Sequence, residues 1–361
     1  MKTYKTALIG CSRMGAFIDN ETPSDHPAYS HAAGYEACAR TEMVACADLS
    51  AELMEQVGIR YGVPKQKQYL DYREMIEAER PDILSIATQP APRAQIFIHA
   101  AEAGVPAIYI EKAMAASLAE AETMMQAAER HGVFVNMGTN RRWDPGYDAM
   151  HSVIDSGRLG KLVSVISHTT GPLFNSASHM FDMLMRFNND VPVTSVQANL
   201  TGAEQVISGE RLLSDPAGQG TMQCENGVTL YALETGRAVE VEAVCERGTV
   251  EGLNNGTSWH LRESGGLNYL GRHILVPGEF PAFEAGSSTV GLIEDLVHSL
   301  DTGEAPRGGA RLAYANTELI FAFVESHARG GQKVELPLAG SNYRLEVAKK
   351  TPRPTFEPKE A

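Results

Sequence analysis

The sequence lacks the features that mark several large classes of protein. Its five cysteines among 361 residues are odd in number and scattered, with no C-x-x-C pair and no metal-ligand spacing, so they indicate neither a disulfide framework nor a metal site. No apolar run approaches the ~20 residues that a membrane-spanning helix needs. Positive charge is scarce: the net charge is −14 and no basic cluster offsets it, so we expect no nucleic-acid partner.

The first ten residues also lack the long apolar stretch and small-residue cleavage site of a signal peptide. We therefore expect a cytoplasmic protein with reduced thiols and no membrane anchor. The composition is otherwise that of an ordinary globular protein, 43% hydrophobic and 21% charged. A length of 361 residues exceeds the usual single-domain size and predicts two domains of ~100–200 residues each.

The N-terminal part of the chain alternates strand-like and helix-like segments. Short apolar runs at residues 6–9, 42–50, 81–90, 107–113 and 133–138 are separated by helical spacing at 51–61, 72–78 and 117–131. This alternation predicts right-handed βαβ units and a parallel sheet covered on both faces. We assign residues 1–140 to an α/β domain of the doubly wound Rossmann type.

The C-terminal part has a different pattern. Asn226-Gly227 and Asn255-Gly256 each separate strand-like runs, which is a strong signal for a β-hairpin. We predict an α+β domain over residues 141–361, with a large, mostly antiparallel sheet from residue 162 to about 275. Two helices are predicted at 289–300 and 310–329, followed by a loosely held tail at 349–361.

A glycine-containing turn follows the first strand, in ALIGCSRMG. Gly10 would permit a tight turn and Gly15 close helix packing, while the helix N-terminus offers N–H groups to a pyrophosphate. Ser12 stands where a dinucleotide-binding fingerprint has its middle glycine, so the motif alone leaves a nucleotide site and an ordinary turn both open.

Asp48, at the end of the second strand, supports the nucleotide interpretation. Its carboxylate can accept hydrogen bonds from the adenine ribose and would repel a 2′-phosphate, which favours NAD over NADP; the alternative is a simple helix cap. Asp48 lies 33 residues after Gly15, instead of the ~20 that are usual. The excess is located in residues 19–31, a polar insert in which His26, Tyr29 or His31 would be able to shape a substrate pocket; a solvated loop is the alternative.

Two further stretches carry reactive side chains. Glu111-Lys112 ends a predicted strand, and a helix over 174–187 places Asn175, His179, Asp182 and Arg186 on one polar stripe. A histidine there can exchange a proton near neutral pH. Taken singly, His179 is equally compatible with a structural role and Lys112 with a surface position.

Together these segments resemble the Gfo/Idh/MocA family of NAD(P)-dependent oxidoreductases, which act mainly on sugars and polyols. The carriers are ALIGCSRMG, Asp48, ATQPAP at 87–92, EKA at 111–113, NRRWDP at 140–145, SHMFD at 178–182 and DLVHSLDTGEAP at 295–306. The resemblance implies that Lys112 and His179 hold the reacting carbinol, in a site formed between the two domains.

The resemblance also implies the remaining site residues. We expect the cofactor to be bound by Gly10, Ser12, Arg13, Met14, Gly15, Asp48, Thr88, Gln89, Pro90, Glu111, Lys112 and Asn140. The expected substrate contacts are His31, Arg142, Trp143, His168, Asn175 and His179, with Lys112, His179 and Asn175 as the catalytic set.

This chain departs from the family pattern at two places. Ala113 replaces the proline after the lysine, and Asn175 replaces the aspartate four residues before the histidine. An amide cannot take a proton but can orient His179 or bind a substrate hydroxyl.

We expect oxidation of a CH–OH group of a sugar, polyol, inositol or glycoside, with His179 as general acid or base and Lys112 stabilising the developing charge on oxygen. Two alternatives remain open: glycoside cleavage through transient oxidation and elimination, and a non-catalytic NAD-sensing protein. We also expect a homo-oligomer, a dimer or tetramer, assembled through the C-terminal sheet.

Overall fold

The computed structural model describes residues 2–169, 171–346 and 352–357. Its internal contacts divide the chain into two units. The first unit comprises Met1–Trp143, Gly286–Ala315 and Glu346–Ala361, and the second comprises Asp144–Ala285 and Asn316–Leu345. The sequence-based boundary, with domains at 1–140 and 141–361, is continuous, whereas these contacts place residues 286–315 with the first unit.

The first unit alternates strands and helices along its N-terminal part. Its strands are β1 (Tyr4–Ile9), β2 (Thr41–Ala47), β3 (Gln68–Tyr69), β4 (Ile83–Ile86), β5 (Ala107–Ile110) and β6 (Phe134–Met137). Its helices are α1 (His31–Ala37), α2 (Ala51–Tyr61), α3 (Tyr72–Glu79), α4 (Pro90–Glu102) and α5 (Leu118–His131). Short helical turns lie at Arg13–Phe17, Ile18–Glu21, Lys65–Lys67 and Asn140–Trp143.

The six strands form one parallel sheet in the order β3-β2-β1-β4-β5-β6. The order reverses at β1, between β2 and β4, so the carboxyl ends of these strands define the ligand-binding edge of a doubly wound sheet. The central strands are apolar and fully buried, as expected for a parallel sheet covered on both faces. The prediction of a Rossmann-type sheet is confirmed.

Helices in this unit begin and end at residues suited to those positions. Ser50 caps α2 and Ser117 caps α5, each accepting a hydrogen bond from a backbone N–H three residues on. Gly62 and Gly132 end the same helices in the left-handed conformation, at φ of 75° and 65°. Local sequence therefore fixes the helix limits.

The insert predicted at residues 19–31 is a closed loop. The Asp19 carboxylate accepts the backbone N–H of Tyr29 at 2.7 Å and of Ser30 at 3.1 Å, which joins the two ends of the insert. Helix α1 then starts at His31, with the Ser30 hydroxyl as its cap. The insert therefore delays α1 and determines where His31 enters the unit.

The second unit begins with a helix and then consists mostly of strands. Its helices here are α6 (Pro145–Asp155), α7 (Ser178–Phe187) and α8 (Ala203–Val206), and a helical turn at Leu173–Ala177 precedes α7. Its strands are β7 (Leu162–Ser167), β8 (Val193–Thr201), β9 (Ile207–Ser208), β10 (Arg211–Leu212), β11 (Ala217–Cys224), β12 (Thr229–Ala232), β13 (Val241–Cys245), β14 (Gly248–Leu253), β15 (Ser258–Leu267) and β16 (His273–Gly278).

Two long helices and two short strands complete the chain. Helix α9 (Ser288–Thr302) belongs to the first unit, and the division between units falls within α10 (Ala310–Ala328). Strands β17 (Val334–Glu335) and β18 (Arg344–Leu345) belong to the second unit.

The second unit contains a nine-stranded sheet in the order β16-β15-β14-β13-β7-β12-β11-β8-β17 and a small sheet in the order β18-β10-β9. Both Asn-Gly hairpins are confirmed, because β11 pairs with β12 and β14 with β15, each antiparallel. The large sheet is antiparallel except where β12 runs parallel to β7. The predicted α+β class with a large, mostly antiparallel sheet is confirmed.

The predicted loose tail lies partly outside the described residues, at 349–351 and 358–361. Its described part, residues 352–357, packs on the rest of the first unit. The Phe356 ring lies edge-on to Phe17 with centroids 5.1 Å apart, and the Asn20 amide donates to the Thr355 carbonyl at 2.8 Å.

In the described ranges, no helix combines the length and apolarity that crossing a membrane requires.

Candidate functional site

The turn after β1 depends on two glycines. Gly10 has φ of 95°, and a Cβ there would lie 2.8 Å from the Ala87 carbonyl oxygen. A Cβ on Gly15 would collide with the Gly10 carbonyl oxygen. Ser12 has φ of −90°, an ordinary conformation for a residue with a side chain. The backbone therefore requires glycine at the first and third motif positions but accepts serine at the second.

Asp48 is tied to this turn. Its Oδ2 accepts the Cys11 backbone N–H at 2.7 Å, and its Oδ1 accepts the Ser50 backbone N–H at 2.8 Å. Each carboxylate oxygen keeps a further lone pair, so Asp48 can still accept from ribose hydroxyls. Asp48 therefore joins the ends of β1 and β2 in addition to the role predicted from sequence.

Arg13 and Met14 are half-buried within the turn that follows. The Arg13 guanidinium is engaged by Glu21 in a two-pronged ion pair, with both contacts at 2.6 Å. The hydrogen bonds to Glu21 raise the pKa of Arg13. The positive charge of Arg13, one of the expected cofactor-binding residues, is therefore balanced by a carboxylate within the insert.

The turn after β4 contributes Thr88, Gln89 and Pro90. The Thr88 hydroxyl is buried and has no hydrogen-bond partner among the described residues. Gln89 is exposed at the cap position of α4, and Pro90 occupies the first turn of that helix. An unsatisfied buried hydroxyl at the carboxyl edge of the sheet is what a polar ligand would complete.

Glu111 and Lys112 follow β5 at the same edge. Glu111 is buried; its Oε1 lies 3.2 Å from His31 Nε2, and its Oε2 accepts the Lys112 backbone N–H at 3.2 Å. Burial opposes ionisation, but the hydrogen bond from His31 and the charges of Lys112 and Arg93 outweigh it and hold the pKa of Glu111 below its ordinary value. Glu111 is therefore a buried carboxylate stabilised in its ionised form.

Arg93 is a buried charged residue at this edge that the sequence did not single out. It lies on α4, is 1% exposed, and donates to the carbonyls of Thr88 and Ala113. Burial lowers its pKa to about 10, while the nearby Glu111 charge acts in the opposite direction. The sequence did contain a signal for the burial of Arg93. It shares a helix face with Phe97 and Ala100, and a charged residue on such an apolar face is unusual.

His31 is placed differently from expectation. Its imidazole is fully buried, stacks on the Tyr109 ring with centroids 3.7 Å apart, and lies 2.9 Å from the Ser85 hydroxyl. It therefore faces Glu111 and Ser85 rather than an open surface. His26, by contrast, is exposed on the insert.

Three residues near the end of the first segment of this unit, residues 1–143, are also buried. The Asn140 amide donates to the Thr289 hydroxyl at 2.7 Å, and Arg142 is 3% exposed. Trp143 packs in a core cluster with α9, and its indole N–H donates to Asp295 at 3.1 Å. The Trp143 ring, expected to contact substrate, is thus enclosed by apolar neighbours from a distant part of the chain.

In the second unit, His179 lies in the first turn of α7 and is half-buried. Asn175 lies in the preceding helical turn, where Asp215 accepts the backbone N–H groups of Phe174 and Asn175, each at 2.9 Å. The predicted polar stripe does not face solvent, because Asp182 and Arg186 are also buried. Asp215 therefore fixes the backbone immediately before His179.

His168 follows β7 in the same unit. Its backbone N–H donates to Glu240, its ring Nε2 lies 3.8 Å from a Glu242 carboxylate oxygen, and it is half-buried. It is thus placed on a polar part of the large sheet.

The first unit fits a dinucleotide. Gly10 and Gly15 allow a tight turn in which a Cβ would collide with neighbouring backbone, and Asp48 lies just after β2. The buried Thr88 hydroxyl has no hydrogen-bond partner among the described residues. Across the described ranges, no group of three or more His, Cys, Asp or Glu side chains is arranged to hold a metal ion. The fold and this edge define a dinucleotide-binding protein of the Rossmann class.

Comparison with known proteins finds a family model that matches part of the chain. Residues 5–139 match the model of the Gfo/Idh/MocA oxidoreductase family with an NAD-binding Rossmann fold. The resemblance found in the sequence is confirmed over these residues.

Individual relatives agree with this assignment. The chain is 32% identical over 160 residues to a D-apiose dehydrogenase of Paraburkholderia graminis, covering 44% of this chain and 38% of that protein. It is 24% identical over 253 residues to a scyllo-inositol 2-dehydrogenase (NAD(+)) of Bacillus subtilis, covering 66% of each. The matched regions thus span about two fifths to two thirds of these relatives.

A solved structure resembles the whole fold. An inositol dehydrogenase homologue from Azotobacter vinelandii, complexed with NADH and myo-inositol, superposes with a TM-score of 0.73 at 15% identity, over 92% of this chain and 98% of that one. At this identity the likeness concerns the fold alone.

Proposed function

We propose that the chain is an NAD-dependent dehydrogenase that oxidises a CH–OH group of a sugar, polyol, inositol or glycoside. The observation that carries the proposal is the carboxyl edge of the parallel sheet, where Lys112 follows the buried Glu111 at the end of β5. Strand β4 separates β5 from β1, whose turn carries the glycine motif. A lysine held there is suited to a substrate oxygen beside a nicotinamide ring. Relatives named as D-apiose and scyllo-inositol dehydrogenases support this substrate class.

NAD is the proposed cofactor, in preference to NADP. The Asp48 carboxylate ends β2, the next residue, Leu49, is 94% exposed, and neither Leu49 nor Ser50 supplies a positive charge for a 2′-phosphate. Gly10, Ser12, Met14 and Gly15 would hold the pyrophosphate. Thr88, Gln89, Pro90 and Asn140 would line the remainder of the cofactor site.

The two proposed catalytic residues have different tasks. When bound, NAD supplies the hydride acceptor. Lys112 orients the substrate oxygen and stabilises the negative charge that develops on it. His179 takes the hydroxyl proton during oxidation and returns it during reduction.

Asn175 has a binding role in this proposal. An amide can donate to and accept from hydroxyl groups but cannot act as a base. Its backbone is fixed by Asp215 one turn before His179, so it is suited to orienting His179 or a substrate hydroxyl. His168 and Arg142 remain proposed substrate contacts, whereas Trp143 is given a packing role because of its burial.

One screen tests the reaction and separates it from its alternatives. Sugars, inositols and glycosides are incubated with NAD while NADH absorbance and released aglycone are both followed. Net NADH formation is expected. Aglycone release without NADH accumulation would assign glycoside cleavage through transient oxidation, and NAD binding without turnover on any compound would assign an NAD sensor.

We also propose a homo-oligomer assembled through the large sheet. Strand β16 is an edge strand exposed along almost its whole length, and it carries the apolar Ile274, Leu275 and Val276. Sedimentation velocity tests the assembly: a dimer or tetramer is expected, and a monomer at micromolar concentration would refute it.

A further inference from the structure

The insert delivers a buried histidine to the carboxyl edge of the first unit. His31 is the first residue of α1, directly after the loop that Asp19 closes, and its side chain is wholly inaccessible to solvent. The ring is clamped on one face by Tyr109, with 18° between the two ring planes. Both ring nitrogens have partners, so the imidazole has a defined orientation and defined hydrogen bonds.

The partners determine which nitrogen carries hydrogen. The ionised Glu111 can only accept, so His31 Nε2 donates to Glu111 Oε1, 3.2 Å away. Nδ1 then accepts from the Ser85 hydroxyl at 2.9 Å, and Ser85 accepts from the Tyr35 hydroxyl at 2.6 Å. Burial raises the pKa of Tyr35, which keeps that hydroxyl a donor. With this assignment the imidazole is neutral, and each of its two ring nitrogens has a hydrogen-bond partner of the matching kind.

The carboxylate at the end of this chain of hydrogen bonds contacts the lysine. Glu111 Oε2 accepts the Lys112 backbone N–H, while Arg93 holds the next peptide carbonyl, at Ala113. The charged or titratable groups that face Glu111 are His31 from α1, Arg93 from α4, and Tyr109 and Lys112 from β5 and the turn after it. Two buried side chains from different helices therefore support the turn that carries Lys112.

We infer that His31 is a positioning residue for Lys112, acting through Glu111, and that delivering it is the role of the insert at residues 19–30. This inference rests on the proposed function, in which Lys112 acts on the substrate oxygen. His31 fixes the Glu111 carboxylate, and Glu111 in turn fixes the backbone of Lys112. Without the donor at Nε2, a carboxylate buried in this position becomes easier to protonate and free to rotate.

Two substitutions separate the hydrogen bond from the packing. Asparagine can replace the Nδ1 contact with Ser85 but is too short to reach Glu111, whereas glutamine can replace the Nε2 donor to Glu111. His26→Asn is the matched control, because His26 is an exposed histidine of the same insert whose ring contacts the neighbouring Pro27 carbonyl and Tyr29.

The inference predicts a split between turnover and binding. His31→Asn should lower kcat by about tenfold to a hundredfold, the scale of a small misplacement of a catalytic group, and leave the Kd for NAD within about threefold. The acidic limb of its pH–rate profile should move to higher pH. His31→Gln should recover kcat to within about threefold of wild type, and His26→Asn should match wild type. Equal loss in His31→Asn and His31→Gln, or wild-type kcat in His31→Asn, would overturn the inference.

A spectroscopic measurement keeps the test independent of turnover. In nitrogen-15 spectra of the wild-type protein, His31 should be the neutral tautomer with hydrogen on Nε2, and the Lys112 amide resonance should titrate at higher pH in His31→Asn than in wild type. If no compound is turned over, the proposed function fails, and these spectra still decide the His31–Glu111–Lys112 connection. Hydrogen on Nδ1, or an unchanged Lys112 titration, would contradict it.

Discussion

Asp48→Asn is the substitution whose effect on cofactor choice follows most directly from the structure. The carboxylate accepts two backbone N–H groups, from Cys11 at 2.7 Å and from Ser50 at 2.8 Å. An amide presents one oxygen to these two donors, so one N–H must face an NH2 group. The substitution therefore disturbs the turn after β1 and also removes the charge proposed to select NAD.

The size of the effect follows from the proposed hydrogen bond between Asp48 and the ribose hydroxyls. Losing a hydrogen bond to a charged group costs about 1.5–3 kcal/mol. At about 1.4 kcal/mol for each tenfold change, NAD should bind roughly 10- to 150-fold more weakly. NADP is relieved of repulsion between Asp48 and its 2′-phosphate, so its affinity should fall less. The NAD:NADP affinity ratio should therefore drop.

Calorimetric titration of both cofactors at one ionic strength measures this ratio. Asp71→Asn is the matched control, because Asp71 is also a carboxylate that accepts a backbone N–H, from Arg73 at 2.8 Å, but at the start of α3. It should leave both affinities unchanged. If Asp48→Asn kept the wild-type ratio, or if wild type bound the two cofactors equally, Asp48 would lose its assigned role.

Three other outcomes are expected. Ser12→Gly should change NAD affinity by no more than about tenfold, because the φ of −90° at this position needs no glycine; a larger loss in titration would make the serine hydroxyl a principal phosphate ligand. Gly15→Ala should lower thermal stability and NAD affinity together, because its Cβ collides with the Gly10 carbonyl, and an unperturbed melting temperature would refute that geometry. Glu111→Gln should reduce the free energy of unfolding at pH values above the ordinary carboxyl pKa of 4.5. This reduction should become smaller as the pH falls through the lowered pKa of the native state, because the wild-type carboxylate is then protonated and loses its own stabilisation. A difference from wild type that stays constant in denaturant titrations across this pH range would contradict the direction of the pKa shift.

Local sequence was sufficient for much of the fold. The Asn-Gly pairs identified the β11–β12 and β14–β15 hairpins, because the turn chemistry lies within a few residues. The alternation of apolar strands and amphipathic helices predicted the parallel sheet, because the spacing of apolar residues in each segment is also a local property of the sequence. The parallel pairing of β12 with β7 and the association of α9 with the first unit depend on contacts between distant segments, which short-range patterns do not contain.

The candidate site likewise has features that the local sequence predicts and features that depend on contacts between distant segments. The turn geometry at Gly10 and Gly15 could be predicted because the glycine spacing reflects the chemistry of the turn. Asp48 was predicted from its place at the end of a strand rather than from its spacing. The burial of His31 against Glu111, 80 residues away, has no local signature, so the sequence suggested a substrate contact instead. The enclosure of Trp143 likewise has no local signature, since it depends on α9 and on Asp295, 152 residues distant.

The measurement that tests the account most directly is a kcat comparison of wild type, Lys112→Ala, His179→Ala and the double variant, on the best substrate found in the screen. Each single substitution should leave folding and NAD binding nearly intact, and His179→Ala should lower kcat by ~10²-fold or more, the usual scale for general acid–base catalysis. Because both side chains are assigned to one substrate oxygen, the double variant should be little worse than the poorer single one. Wild-type kcat in His179→Ala, or losses that simply multiply in the double variant, would contradict the assignment of Lys112 and His179 to a shared chemical step.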